Sequence, residues 1–112
     1  MKPKKSFKPT PPTLREKKRY ISFRLLCDSR FPKNAVSSAL KDVFFSLFGS
    51  FGTAELGYAF IDFDSASGKG IIRCERSKVE KACSAILFLK SAAGKTVVPK
   101  ILRVSGTIKG VS

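Results

Sequence analysis

Apolar and polar residues alternate over 20–27, with Ile21, Phe23, Leu25 and Cys27 on one side and Tyr20, Ser22, Arg24 and Leu26 on the other. A period of two predicts a strand with one buried face. After Pro32, which suits a helix start, Val36, Leu40, Val43, Phe44, Leu47 and Phe48 recur at the spacing of one helical face, and Gly49 is placed to end it. Strand character returns over 56–63 and 69–75, joined by the turn-rich run 64–68 as a hairpin. Ser77 and Glu80 have capping-box spacing. They predict a second helix with Val79, Ala82, Cys83, Ile86 and Leu87 on its core face and Gly94 closing it. A last strand is predicted over 96–108, with Pro99 near its start, as an edge tolerates.

The resulting order, β-α-β-β-α-β, predicts an α+β fold of the ferredoxin-like (RRM-like) type: a four-stranded antiparallel sheet with both helices on one face. Turning Ile21, Phe23, Ala59, Ile61, Phe63, Ile72, Cys74, Leu102 and Val104 toward the helices leaves Ser22, Arg24, Tyr58, Phe60, Asp62, Ile71, Arg73, Arg103, Ser105 and Thr107 on the open face. Three arginines with two aromatic rings make a cationic, partly stacking surface suited to RNA.

Charge sharpens this picture. The 112 residues carry a net charge of +14, divided equally between 1–19 and 20–112. Residues 1–17 combine lysines with Pro3, Pro9, Pro11 and Pro12, the composition of a disordered basic tail. Residues 18–112 are then expected to form a single RNA-binding α/β sandwich domain. A basic tail on a basic domain points to nucleic acid, held through phosphates in a salt-sensitive way. No long apolar run or basic amphipathic helix favours a membrane, and prolines interrupt the position where a signal peptide would need an apolar core. A soluble, cytoplasmic protein is expected. Cys27, Cys74 and Cys83 are widely spaced and the chain has no histidine, so they read as small core residues in a reducing compartment, and no metal site is expected.

Candidate chemistry is sparse. The run 57–63 matches most of the aromatic strand motif of RNA-recognition motifs. It falls on the second strand, however, an edge in the expected order 4-1-3-2, whereas Ile71 and Arg73 occupy the third. Tyr58 and Phe60 are therefore candidates for base stacking or for a protein contact, with plain packing as the other reading. Asp62 and Asp64, even with Asp28, read as turn and solvation residues, and no catalytic residue is expected on this chain. Gly106, among Ser105, Thr107 and Lys109, suggests a bulge or a close approach where phosphate or sugar contacts could form.

Arg19-Tyr20, Leu47-Phe48-Gly49 with Phe51-Gly52, the run 70–74, and Val104-Ser105-Gly106-Thr107-Ile108-Lys109 together resemble the archaeal ribonuclease P protein component 2 family, over about residues 18–109. Tyr58 stands where that family often has tryptophan, and the Pro/Lys tail lies outside the pattern. The resemblance implies a protein subunit of the ribonucleoprotein that removes the 5′ leader of precursor tRNA. The RNA component, with its bound magnesium, would perform the cleavage, and this chain would need no cofactor of its own. The implied partners are ribonuclease P RNA, precursor tRNA, protein component 3 and other ribonuclease P protein subunits, with a homodimer within a heterotetramer left open. Arg24, Arg73, Arg103, Ser105, Thr107 and Lys109 are the expected RNA contacts. A stand-alone RRM-like single-stranded RNA binder and a ribosomal protein are the alternatives.

Overall fold

The computed structural model describes residues 18–27, 30–92 and 94–111. The expected basic tail over 1–17, and Asp28, lie outside the described residues. The elements are β1 (Lys18–Leu26), α1 (Lys33–Leu56), β2 (Ala59–Asp64), β3 (Lys69–Glu75), α2 (Val79–Leu87), β4 (Ser91–Ala92), β5 (Lys95–Thr96), β6 (Val98–Ser105) and α3 (Ile108–Val111). Four strands form an antiparallel sheet in the order β2-β3-β1-β6, and β4 and β5 make a small separate hairpin. The expected β-α-β-β-α-β frame is present, with β6 as its fourth main strand. Among the described residues, no helix is long and apolar enough to cross a membrane.

The core lies between one sheet face and the two long helices. Ile21, Phe23 and Leu25 from β1, Phe63 from β2, and Ile72 and Cys74 from β3 pack with Val36, Leu40 and Phe44 of α1 and with Ala82, Ala85 and Ile86 of α2. The alternation of β1 and β3 survives because they pair without a bulge from Lys18–Glu75 to Arg24–Lys69, which keeps every second residue on one side. A side chain on Gly70 would begin 2.5 Å from the Phe23 ring, so glycine there lets that ring lie across the middle of the sheet. Cys74 is fully buried, and Cys27 and Cys83 pack partly buried against the same core, all three as free thiols.

Four expectations change. First, Gly49 bends α1 and does not end it. Its backbone (φ 72°, ψ 179°) belongs to a region open essentially to glycine alone, and helix resumes beyond it as far as Leu56. Thr53 Oγ1 donates to the Phe44 carbonyl across the bend (3.2 Å), and Gly52 packs so closely on Phe48 that a Cβ would lie 2.8 Å from it. Leu56, expected in a strand, is a buried helical residue, and Gly57 caps the helix in the left-handed conformation.

Second, β2 and β6 each carry a bulge. Ile61 is an extra residue between Phe60, opposite Ile72, and Asp62, opposite Ile71. Leu102 is likewise extra between Ile101, opposite Phe23, and Arg103, opposite Ser22. One added residue reverses every facing before it. Phe60 and Ile101 therefore turn to the helices, Ala59 turns away, and Leu102 stays 39% exposed. Third, α2 begins after a 3-10 turn over Arg76–Lys78 with no side-chain cap, so Ser77 and Glu80 form no capping box, and Gly94 sits in the β4–β5 turn, not at the helix end. Fourth, β6 stops at Ser105, which leaves Gly106 and Thr107 in the bend that leads into α3.

Candidate nucleic-acid interface

Strand pairing sorts the face away from the helices into rows that run across the strands. One row is Asp64, Lys69, Arg24 and Lys100; the next is Asp62, Ile71, Ser22 and Arg103; the third is Ala59, Arg73, Tyr20 and Ser105. Facing residues on neighbouring strands have Cβ atoms about 5 Å apart. Arg24, Arg73, Arg103 and Ser105 thus share one surface, as the alternation in β1 and β3 predicts. Cations dominate its β1 and β6 side, and the two acids occupy the β2 edge.

Both acids are engaged. Lys33, at the start of α1, reaches Asp62 Oδ1 (3.1 Å) and holds that carboxyl below the usual carboxylate range. Asp64 accepts from the Ala66 N–H (3.0 Å) and the Ser67 hydroxyl (3.0 Å), which shapes the β2–β3 turn. Among the described residues, no three His, Cys, Asp or Glu side chains gather as metal ligands would.

The C-terminal turn covers part of this face. Arg103 Nη1 donates to the Gly110 carbonyl (3.2 Å), while Ser22 and Val111 are buried although neither belongs to the main core. Ser105 Oγ accepts from the Thr107 N–H (3.3 Å), and Thr107 Oγ1 accepts from the Gly110 N–H (3.1 Å), an N-cap for the short α3. A Cβ on Gly110 would lie 2.0 Å from Ser105 Oγ, so glycine is required where the turn meets the strand. Thr107 and Lys109 consequently sit on this exposed turn and not on the sheet.

Tyr58 and Phe60 are not on the face. The Tyr58 ring stacks on Phe44 (centroids 4.3 Å apart, planes at 29°), and its hydroxyl is buried without a hydrogen-bond partner among the described residues. That burial pushes its pKa up to about 12. Phe60 packs against the core beside the start of α1. The placement on the open face is overturned by the bulge at Ile61 and by the start of β2 at Ala59, one residue after Tyr58.

A family model described as the Rpp14/Pop5 family matches residues 19–112. The chain belongs to the Rpp14/Pop5 family. Its relatives include ribonuclease P protein component 2 of Pyrococcus abyssi, 39% identical over 102 residues, with 91% of this chain and 86% of the relative covered. The same component of Archaeoglobus fulgidus is 38% identical over 99 residues (88% of each chain), and that of Methanocaldococcus jannaschii is 34% identical over 102 residues (91% and 75%). A chain in the cryo-EM structure of yeast ribonuclease MRP has the same fold, with a TM-score of 0.65 at 17% identity, covering 89% of this chain and 79% of that one.

The motifs of this Rpp14/Pop5 chain now have physical roles. Gly49 and Gly52 make the bend in α1, Gly70 makes room for Phe23, and Ser105, Thr107 and Gly110 fasten the C-terminal turn. Reading the sequence missed Lys69 and Lys100 as members of the face. Lys69 opens β3, where a charged end residue carries no pattern of its own, and Lys100 precedes the bulge that inverts the apparent facing of β6. The helical layer also exposes Leu47, Phe51, Leu87 and Phe88, and an open groove between α1 and α2 is lined by Leu47, Phe48 and Phe88 together with Glu80, Lys81 and Ser84.

Proposed function

We propose that this chain is a protein subunit of ribonuclease P, the ribonucleoprotein that removes the 5′ leader of precursor tRNA, and that it works in the cytoplasm. The observation that carries the reading is near full-length kinship with archaeal proteins that bear the name ribonuclease P protein component 2. Cleavage belongs to the RNA component and the magnesium it binds, and this chain supplies cations and surface. Arg24 and Arg73 contact the RNA backbone directly. Arg103, Ser105 and Thr107 hold the C-terminal turn in place beside them, and Lys109 presents a further cation on that turn. Such contacts position an RNA without reading its sequence.

The apolar groove between α1 and α2 takes a protein partner, for which protein component 3 is the proposed occupant, with other protein subunits and precursor tRNA completing the assembly. A second copy of this chain within a heterotetramer is a finer proposal of the same kind. The alternative of a stand-alone single-stranded RNA binder is disfavoured, because Tyr58 and Phe60, the rings it would use, turn to the helices.

The test is precursor tRNA cleavage by the catalytic RNA with component 3, at fixed moderate magnesium, with and without this chain. Strong stimulation is expected, and it should fall when Arg24 and Arg73 are both changed to Gln. Stimulation that is absent, with partner and RNA folded, would reject the subunit reading. An undiminished rate with the double variant would reject the assignment of these arginines.

A further inference from the structure

Arg24 has a cation directly opposite it on both sides: Lys69 on β3 and Lys100 on β6. Adjacent strands are about 4.8 Å apart, so the three cations form a line of roughly 10 Å across the sheet. Like charges facing each other across strands oppose folding, and sheets ordinarily avoid them. The one acid of the row, Asp64, faces Lys69 at the β2 end, so Arg24 and Lys100 have no counter-charge beside them in the row. Among the described residues none of the three forms an ion pair, and Asp64 is held in its turn by two hydrogen bonds. Elsewhere Lys18 pairs with Glu75 and Lys33 with Asp62. In the next row Arg103 donates to the C-terminal turn, which buries Ser22 beside it, whereas Arg24 and Lys100 stand exposed.

We propose that Lys69, Arg24 and Lys100 form a transverse clamp for the phosphodiester backbone of an RNA strand laid across β3, β1 and β6. The identity of the RNA in the cell rests on the ribonuclease P reading; the clamp itself does not, because phosphate contacts are independent of sequence. The polyanion supplies the missing counter-charge, and the acids at the β2 edge mark where the strand cannot continue. Leu26 and Val98, an exposed aliphatic pair in the adjoining row, border the clamp and offer surface to sugars or base edges.

The test compares two triple variants of the full chain that remove equal charge: Arg24→Gln/Lys69→Gln/Lys100→Gln, and the control Lys41→Gln/Lys90→Gln/Lys95→Gln, whose cations lie off the four-stranded sheet. Binding is measured against salt on the catalytic RNA of ribonuclease P and, separately, on a poly-uridine oligonucleotide, with anionic phosphatidylserine vesicles as a third probe. The clamp variant should flatten the log–log salt slope by about two units on both RNAs, as loss of three phosphate contacts requires. The control should change it far less, and the thermal midpoint of the clamp variant should hold or rise, since repulsion is removed. Equal slopes for the two variants, an unchanged slope, no RNA binding by the parent chain, or a loss confined to the vesicles would each overturn the clamp. Wild-type chain that fails to stimulate precursor cleavage while the clamp variant still loses slope would reject the ribonuclease P reading and leave the clamp standing.

Discussion

At the scale of single residues, Tyr58 carries an unusual load for a core side chain. Its ring contributes stacking on Phe44, but its buried hydroxyl has given up water for no partner among the described residues, a desolvation that costs about 1–3 kcal/mol. Tyr58→Phe should therefore leave the fold as stable or stabilise it by about 1 kcal/mol in denaturant melts. A destabilised variant would mean that the hydroxyl has a partner in solution. The same burial has a pH consequence. Tyr58 titrates near 12 in the folded chain against 10 ordinarily, and burial pushes the Cys74 thiol from 9 up to about 11. In both cases the unfolded chain loses its proton first. Stability contributed by these groups is complete below pH 9 and falls as pH rises from 9 to 12. Melts across that range should show the decline, and Tyr58→Phe should remove the tyrosine's share between pH 10 and 12 while leaving the Cys74 share between pH 9 and 11.

At the scale of elements, two glycines do different work. Gly49 has open space where a Cβ would go, so any cost of Gly49→Ala comes from its backbone conformation alone. A loss of about 1–3 kcal/mol is expected, together with weaker protection of amides in residues 50–56. Gly110 has ordinary helical geometry but no space: a Cβ would meet both Oγ and Cβ of Ser105, at 2.0 and 2.8 Å, so turning the serine side chain cannot relieve the clash. Gly110→Ala should detach the C-terminal turn, speed amide exchange over 107–111 and expose Ser22 while the main core stays folded. Gly106→Ala is the control, because its nearest neighbour is the flexible end of Arg19 at 3.4 Å. If both variants exchange alike, the turn is not held by the Ser105–Gly110 contact.

At the scale of the whole molecule, charge is divided between a segment and a surface. Residues 1–17 carry six of the chain's 22 Lys and Arg. Their deletion should flatten the salt slope of RNA binding by about four units if all six meet phosphates. A slope unchanged by the deletion would assign binding to the folded part alone. Within that part the two faces have separate chemistry: cations on the outer face of the sheet, and exposed Leu47, Phe51, Leu87 and Phe88 on the helical layer. Under the proposed function, that division assigns RNA to one side of the domain and protein to the other.

The order of the six main elements, the core faces of β1 and β3, and the helical stripe of α1 from Val36 to Phe44 follow from the sequence alone, whereas Leu47, placed on that stripe by its spacing, is exposed. Each depends on a local period that burial against one layer enforces. The family motif around Ser105-Gly106-Thr107 was legible as well, although its role as a fastening for a turn was not. The facings of β2 and β6 were decided only by the tertiary structure. A bulge is a mismatch in length between two paired strands, so it does not exist until they pair, and a single extra residue moved Phe60 and Ile101 into the core and Leu102 out of it. The Lys69, Arg24 and Lys100 row has the same origin. Its members are 45 and 31 positions apart in the chain, and antiparallel pairing on both sides of β1 is what makes them neighbours.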